Sequence, residues 1–432
     1  MKFKLSIMVL SFSMLICLHG NAQNTLKANK EQINEIAVIA NNKSVQSALN
    51  IIDNTDKQTI EDMIVLTEIP APPFKERIRA EKFVEMLKRE SVDRVWIDKE
   101  GNVIALRKGT EGNKNIVLDA HIDTVFPEET DVRVKVEGNT YIAPGIGDNT
   151  RGMAIVLTIL RAINKAKIQT KENIYFVGTV GEEGLGDLRG VKHLFSKNSA
   201  IKIDSWISID GGDSDRIING ALGSKRYKVV IQGKGGHSWG AFGLANPHHA
   251  LGKAIDYFTK EATAYTNKKG ARTSFNIGRI GGGTSVNSIP FESWMEVDMR
   301  SISPKRLLEI DAILKASVKR AIADYNQSGV KDKVTIKLIP IGDRPSGETP
   351  QSSALVQRAI ASASHMGINS KLQMSSTNSN IPISKGVPAI TISRGGISTR
   401  AHSLDEKWEN IEGTKNIKMG LLLLLSEAGL SK

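Results

Sequence analysis

Four short, almost uninterrupted apolar runs, at 115–118, 174–180, 206–209 and 389–392, constrain this chain more than any other feature. Runs of this kind suit strands buried on both faces of a sheet, so helices must cover that sheet above and below. The stretch between the first two runs supplies one, near 150–165, with Met153, Val156, Leu157 and Leu160 on one helical stripe. Ala80, Phe83, Val84 and Leu87 predict another over 75–90. Helical patterning also begins near Ser47 and reaches Thr67, before Pro70, Pro72 and Pro73 break it. Residues 23–46 are polar and predict a loosely ordered segment. The alternation of strand and helix predicts an α/β domain.

Residues 223–340 follow a different pattern. An alternating strand at 227–231 leads to a helix at 247–264, and strands follow at 273–280 and 291–300. A helix at 304–325 and a strand at 333–339 close the segment. This β-α-β-β-α-β order predicts a smaller α+β domain inserted into the first, which is thereby split into 47–222 and 341–432.

Lys2 and Lys4 precede an apolar run over 5–18, and Gly20-Asn21-Ala22 offers a small-residue cleavage site. That is the order of a secretory signal peptide over 1–22. The run is shorter than the ~20 apolar residues of a membrane span. The expectation is an exported protein, periplasmic or secreted, with no membrane anchor after cleavage. Cys17 is the only cysteine, so the mature chain has no disulfide and no thiolate. Any metal must be held by His, Asp and Glu. The formal net charge of +12 is spread along the chain without an aromatic platform, which argues against a nucleic-acid partner.

The acidic and histidine residues cluster at strand ends. His121 and Asp123 follow the first apolar run, Glu182 and Glu183 the second, Asp210 the third and His402 the fourth. Asp148 sits in Gly147-Asp148-Asn149, just before the third helix. In an open α/β sheet, ligands bind beyond the carboxyl ends of the strands. One Asp after a strand is an ordinary turn or cap residue; five segments converging on one edge make a site. Imidazoles and carboxylates are zinc donors, and a pair of metals needs a bridging carboxylate, terminal ligands and a nearby base.

His121-x-Asp123, Gly147-Asp148-Asn149, Glu182-Glu183-Gly184, Asp210 and His402 resemble the co-catalytic metallopeptidases. That family includes carboxypeptidase G, peptidase T, acetylornithine deacetylase and succinyl-diaminopimelate desuccinylase. The resemblance covers nearly the whole mature chain. It implies a mixed-sheet, zinc exopeptidase-like catalytic domain carrying an inserted lid or dimerisation domain. It further implies two divalent ions, zinc first and cobalt or manganese also admissible. Asp148 would bridge them, with His121 and Asp210 on one and Glu183 and His402 on the other. Asp123 would orient His121, and Glu182 would be the general base.

The resemblance also implies a homodimer through the inserted domain. His237, in Gly235-Gly236-His237-Ser238, would steady the oxyanion or a substrate carboxylate, or else is a plain loop histidine. Asn287 and Arg300 match substrate-contacting positions, although Arg300 equally suits a strand salt bridge with Asp298. Asn378 stands where the family pattern often has Asp, which predicts altered substrate tolerance. His193, His248, His249 and His365 read as solvated or packing residues. The implied activity is hydrolysis of small peptides; an N-acyl amino acid deacylase is the alternative, and a non-catalytic binding protein a remote one.

Overall fold

The computed structural model describes residues 26–431 apart from Asp213; the predicted signal segment lies outside the described residues. A mixed sheet occupies the centre. Asn173–Thr179, Asn115–His121, Ser205–Ile209 and Ala389–Ile392 lie side by side in that order, all parallel. Val103–Arg107 and then Arg94–Ile97 extend one edge in antiparallel fashion. On the other side, Arg216–Ala221 runs antiparallel to Ala389–Ile392.

Alternation along the middle strand divides the core in two. Ile116, Leu118 and Ala120 join a large cluster with the helices Gly152–Lys165 and Gly413–Ala428. Val117 turns to the opposite face, where it meets Trp206, Leu188 and Val191. The predicted stripe of Met153, Val156, Leu157 and Leu160 is fully buried. Each of these side chains stabilises the fold by about 1.5–3 kcal/mol. Gly152–Lys165 is in fact buried almost all round, as a helix sandwiched within a larger core must be.

A separate antiparallel sheet pairs Thr273–Gly282, Glu292–Ser301, Gly223–Gln232 and Thr335–Arg344 in that order. Alternate residues of Glu292–Ser301 are buried, with Met295, Val297 and Met299 facing the helices Pro247–Thr266 and Pro304–Asn326. Both helices start with a proline in the first turn. Side-chain caps from Asn246 and Ser303 accept backbone N–H groups there. The element order is the one read from the sequence. A short ribbon of Gly236–His237 against Ser288–Ile289 projects from this unit.

The N-terminal segment departs from expectation. Lys30–Ala40 is a helix, with Ile36, Ile39 and Ala40 buried against the main core. Its stripe is too short and too diluted by polar residues to stand out in the sequence. Tertiary contacts fix it, including ion pairs from Glu35 to Arg358 (2.9 Å) and from Arg358 to Glu427 (2.8 Å). Among the described residues, no helix is long and apolar enough to cross a membrane.

Candidate metal centre

The four parallel strands end on one edge, and the chain sets polar side chains there. His121 is the last residue of its strand, and Asp210 directly follows Ser205–Ile209. Glu182 and Glu183 lie on the turn after Asn173–Thr179, and Asp148 on the turn before Gly152–Lys165. His402 comes from the loop after Ile397–Thr399.

These residues converge. His121 Nε2 is 3.1 Å from Asp148 Oδ1, and His402 Nε2 is 3.4 Å from Asp148 Oδ2 and 3.1 Å from Glu183 Oε1. Ligand atoms of His121, Asp148 and Asp210 lie within 4.8 Å of one another, and so do those of Asp148, Glu183 and His402. Two triads therefore share one carboxylate. Glu182 groups with His121 and Glu183. The donors are all nitrogen or carboxylate oxygen, and so many acidic groups at one buried edge need cationic charge to offset them. The residues fit a pair of divalent ions.

Other side chains hold this arrangement, and sequence reasoning missed three of them. Glu406 is buried and accepts N–H bonds from Gly147 (2.9 Å), Asp148 (2.8 Å), Gly145 (3.3 Å) and His402 (3.3 Å). One carboxylate thereby locks the Asp148 turn to the His402 loop. Arg394, also buried, lies 3.2 Å from Asp148 Oδ1 and 3.9 Å from Asp210 Oδ1, and its Nε donates to Gly211 O at 2.9 Å. Arg344 ends the last strand of the inserted sheet. Its Nη1 donates to Glu182 Oε1 and to Ser376 Oγ, each at 3.0 Å, and its Nη2 donates to the Glu182 carbonyl.

Asp123 works differently from the expectation. His121 Nδ1 is 3.0 Å from the backbone carbonyl of Asp123, and 3.7 Å from its nearer carboxylate oxygen. The carboxylate instead accepts the N–H groups of Glu182 (3.0 Å) and Glu183 (2.8 Å). Asp123 thus orients the imidazole with its main chain and the Glu182–Glu183 turn with its side chain.

With this geometry in place, likeness to known proteins decides the class. The model of Peptidase family M20/M25/M40 matches residues 117–425. The chain belongs to that family. A curated relative, the uncharacterized protein YqjE of Bacillus subtilis, is 25% identical over 393 residues, covering 86% of this chain and 99% of its own. Among solved structures, aminopeptidase PepT from Bacillus cereus superposes with a TM-score of 0.67 at 18% identity, over 86% of this chain and 98% of that one. Bacillus subtilis YXEP, described as a dinuclear metal binding peptidase from the M20 family, gives 0.61 at 18% identity, over 87% and 100%. This M20 chain is accordingly a metallohydrolase of the peptidase or amidohydrolase kind, with the cluster for the dinuclear site typical of its family.

Electrostatics of the M20 site follow from burial and close charges. Burial alone would lower the His121 pKa, but the close carboxylates of Asp123 and Asp148 outweigh it and hold the pKa well above the usual value. His402 is pushed up to about 10 by its bonds to Asp148 and Glu183. Burial would raise Asp148, yet Arg394 and the two histidines hold it well below the ordinary carboxylate range. Burial pushes Glu182 up to about 8; Arg344 opposes the shift and Glu183 adds to it.

The remaining expected residues divide. Arg300 lines the cavity over the cluster, and its Nε donates to Asp298 at 2.7 Å, the strand salt bridge that the sequence allowed. His237 and Asn287 lie close in the fold, since His237 pairs with Ser288 and the neighbouring Ser238 N donates to Asn287 O at 2.9 Å. Both are exposed on the projecting ribbon, and neither lines the cavity. Asn378 does not reach the cavity either. It is buried below the site, where its Nδ2 donates to Asp119 Oδ2 and to Thr179 Oγ1, each at 2.7 Å. The expected effect on substrate tolerance therefore has no contact to act through.

Proposed function

We propose that this chain is a di-metal exopeptidase of the dipeptidase or tripeptidase type, hydrolysing small peptides with Glu182 as general base. The observation that carries this reading is Asp148, whose two oxygens face separate His-containing triads while Glu182 stands beside one of them. His121, Asp148 and Asp210 would hold one ion and Asp148, Glu183 and His402 the other, with zinc first among those suited to the donors. Bound there, the ions would supply Lewis acidity to the amide carbonyl and to the attacking water.

The chain's own groups do the rest. Glu182 Oε2 is not engaged by Arg344, whose Nη1 holds Oε1, and is left to take the proton of the attacking water and deliver it to the leaving amine. Asp123 fixes the turn that carries Glu182. Arg300, on the inserted sheet, lines the cavity and would hold a substrate carboxylate. His237 would act on the substrate only after a rearrangement of the inserted unit or from a second copy, and we place it outside the resting site. Export through the segment 1–22 and pairing through the inserted unit belong to the same proposal.

Glu182→Gln tests it. Turnover should fall by about 10²–10⁴ while both ions stay bound; undiminished turnover would overturn the role of Glu182. A deacylase would use the same cluster on the same bond. Comparing a dipeptide with its N-acyl analogue separates the two, because only the peptidase has use for a free α-amine.

A further inference from the structure

The cavity over the cluster has a volume of ≈ 530 Å³, and five arginines line it: Arg216, Arg226, Arg300, Arg344 and Arg394. Two are committed to the catalytic carboxylates, Arg394 to Asp148 and Asp210 and Arg344 to Glu182. The other three are not.

Arg226 and Arg300 share a single carboxylate. Their Nε atoms donate to Asp298 Oδ1 at 2.8 Å and Oδ2 at 2.7 Å, so one positive charge of the pair stays uncompensated. Among the described residues, the Nη atoms of both guanidiniums make no hydrogen bond, which leaves two forks facing the cavity. Arg216 goes further. Its side chain has no hydrogen-bond or ion-pair partner among the described residues, although its Nε is fully buried. The guanidinium lies over Gly211, next to Asp210; a Cβ at Gly211 would come within 3.5 Å of Nη1.

A buried donor without a protein partner is completed in the native fold by water or by a ligand, and this one lines the cavity. A planar guanidinium in a half-enclosed cavity is matched to a carboxylate. Arg216 begins a strand of the main sheet, whereas Arg226 and Arg300 belong to the inserted sheet. The two cationic positions are therefore carried by different sheets.

We propose that this site is built for substrates with two carboxylates, the terminal one held by Arg226 and Arg300 and a second one by Arg216. The inference rests on the amide-hydrolase reading and narrows its substrates to acidic peptides or acidic acyl amino acids. Arg216 is then a specificity-determining residue.

Two measurements test it. The first compares kcat/KM for matched pairs, Ala-Glu with Ala-Gln and N-succinyl-Ala with N-butyryl-Ala, so that the second carboxylate is tried on either side of the scissile bond. The acidic member of one pair should be favoured roughly tenfold or more. In Arg216→Gln that ratio should collapse to within about twofold of unity, with Arg216→Lys in between. The second measures calorimetric binding of glutarate and of butyrate to the metal-free protein. Glutarate should bind more tightly, and Arg216→Gln should weaken it roughly tenfold. Equal use of acidic and neutral substrates, with glutarate binding indifferent to Arg216, would overturn the subsite and leave the hydrolase reading intact. Arg216-dependent glutarate binding without cleavage of any amide would do the reverse.

Discussion

Asp148 offers one carboxylate oxygen to each of two histidines, with Oδ1 3.1 Å from His121 Nε2 and Oδ2 3.4 Å from His402 Nε2. In the metal-free protein both contacts favour protonated imidazole. The His121 pKa stands well above its usual value, and that of His402 is raised to about 10. An imidazole must lose that proton before its nitrogen can take an ion. Metal binding at pH 7 should therefore release protons from both histidines, and apparent affinity should climb as pH rises from neutrality toward 10. Calorimetric titration with zinc in buffers of different ionisation enthalpy would count the released protons. A count of zero would show that the histidines are already neutral and that the Asp148 contacts do not hold their protons.

Arg344 reaches Glu182, the proposed general base, from the inserted sheet. It donates to Glu182 Oε1 at 3.0 Å and is itself buried. Its positive charge lowers the Glu182 pKa against the upward push of burial. Arg344→Gln removes that charge, so the base should hold its proton to higher pH. The acid limb of the kcat profile should move upward by about one pH unit or more, with kcat at pH 7 reduced. A profile that keeps its acid limb in place would mean that Arg344 matters for packing alone. Because Arg344 ends the strand Thr335–Arg344, the same contact links the position of the inserted sheet to the Glu182–Glu183 turn.

How far the site could be read from the sequence depends on what each residue contacts. His121, Glu182, Glu183, Asp210 and His402 were legible because each follows an apolar run, and parallel strands bring such ends to one edge. Arg394 carries the same signal, lying just past Ala389–Ile392. Glu406 carries none. Its partners are backbone N–H groups of the distant Asp148 turn and of His402, and no periodicity encodes a main-chain contact between loops. The inserted sheet was legible from the alternating strand at 227–231 and the order of strands and helices after it, whereas the helix Lys30–Ala40 was not, since only docking against the core distinguishes it from a polar tail. Asn378 was misplaced because family pattern gives position along the chain but not the direction of a side chain.

Glu406 yields a prediction that separates support from ligation. It does not line the cavity and is not in either ligand triad, yet it binds the main chain beside Asp148 and at His402. Glu406→Gln keeps the shape but turns one acceptor into a donor that faces N–H groups. Metal affinity should fall by about 10–100-fold, as is usual when a group that orients ligands is lost. Competition with a chromogenic chelator would measure it. Unaltered affinity would show that the two loops hold their places without the carboxylate.

Beneath the cluster, Asp119 is fully buried and accepts bonds from Ser208, Thr179 and Asn378. Burial raises its pKa to about 6 despite these donors. Asn378→Asp would replace a donor at 2.7 Å by a second carboxyl, and two carboxylates at that distance cannot both ionise inside the protein. The folded state would retain a proton that the unfolded chain gives up above its ordinary carboxyl pKa of 3.8. Stability should therefore fall as pH rises from about 4 toward the raised folded pKa, reaching a loss of about 3 kcal/mol or more at pH 7. Thermal melting of the variant at pH 5 and pH 7, beside the parent, would show a gap that widens with pH. The order in which folded variant and parent prefer their substrates should stay the same, because residue 378 does not line the cavity. A changed substrate order with an unchanged melting gap would place this side chain in contact with substrate after all.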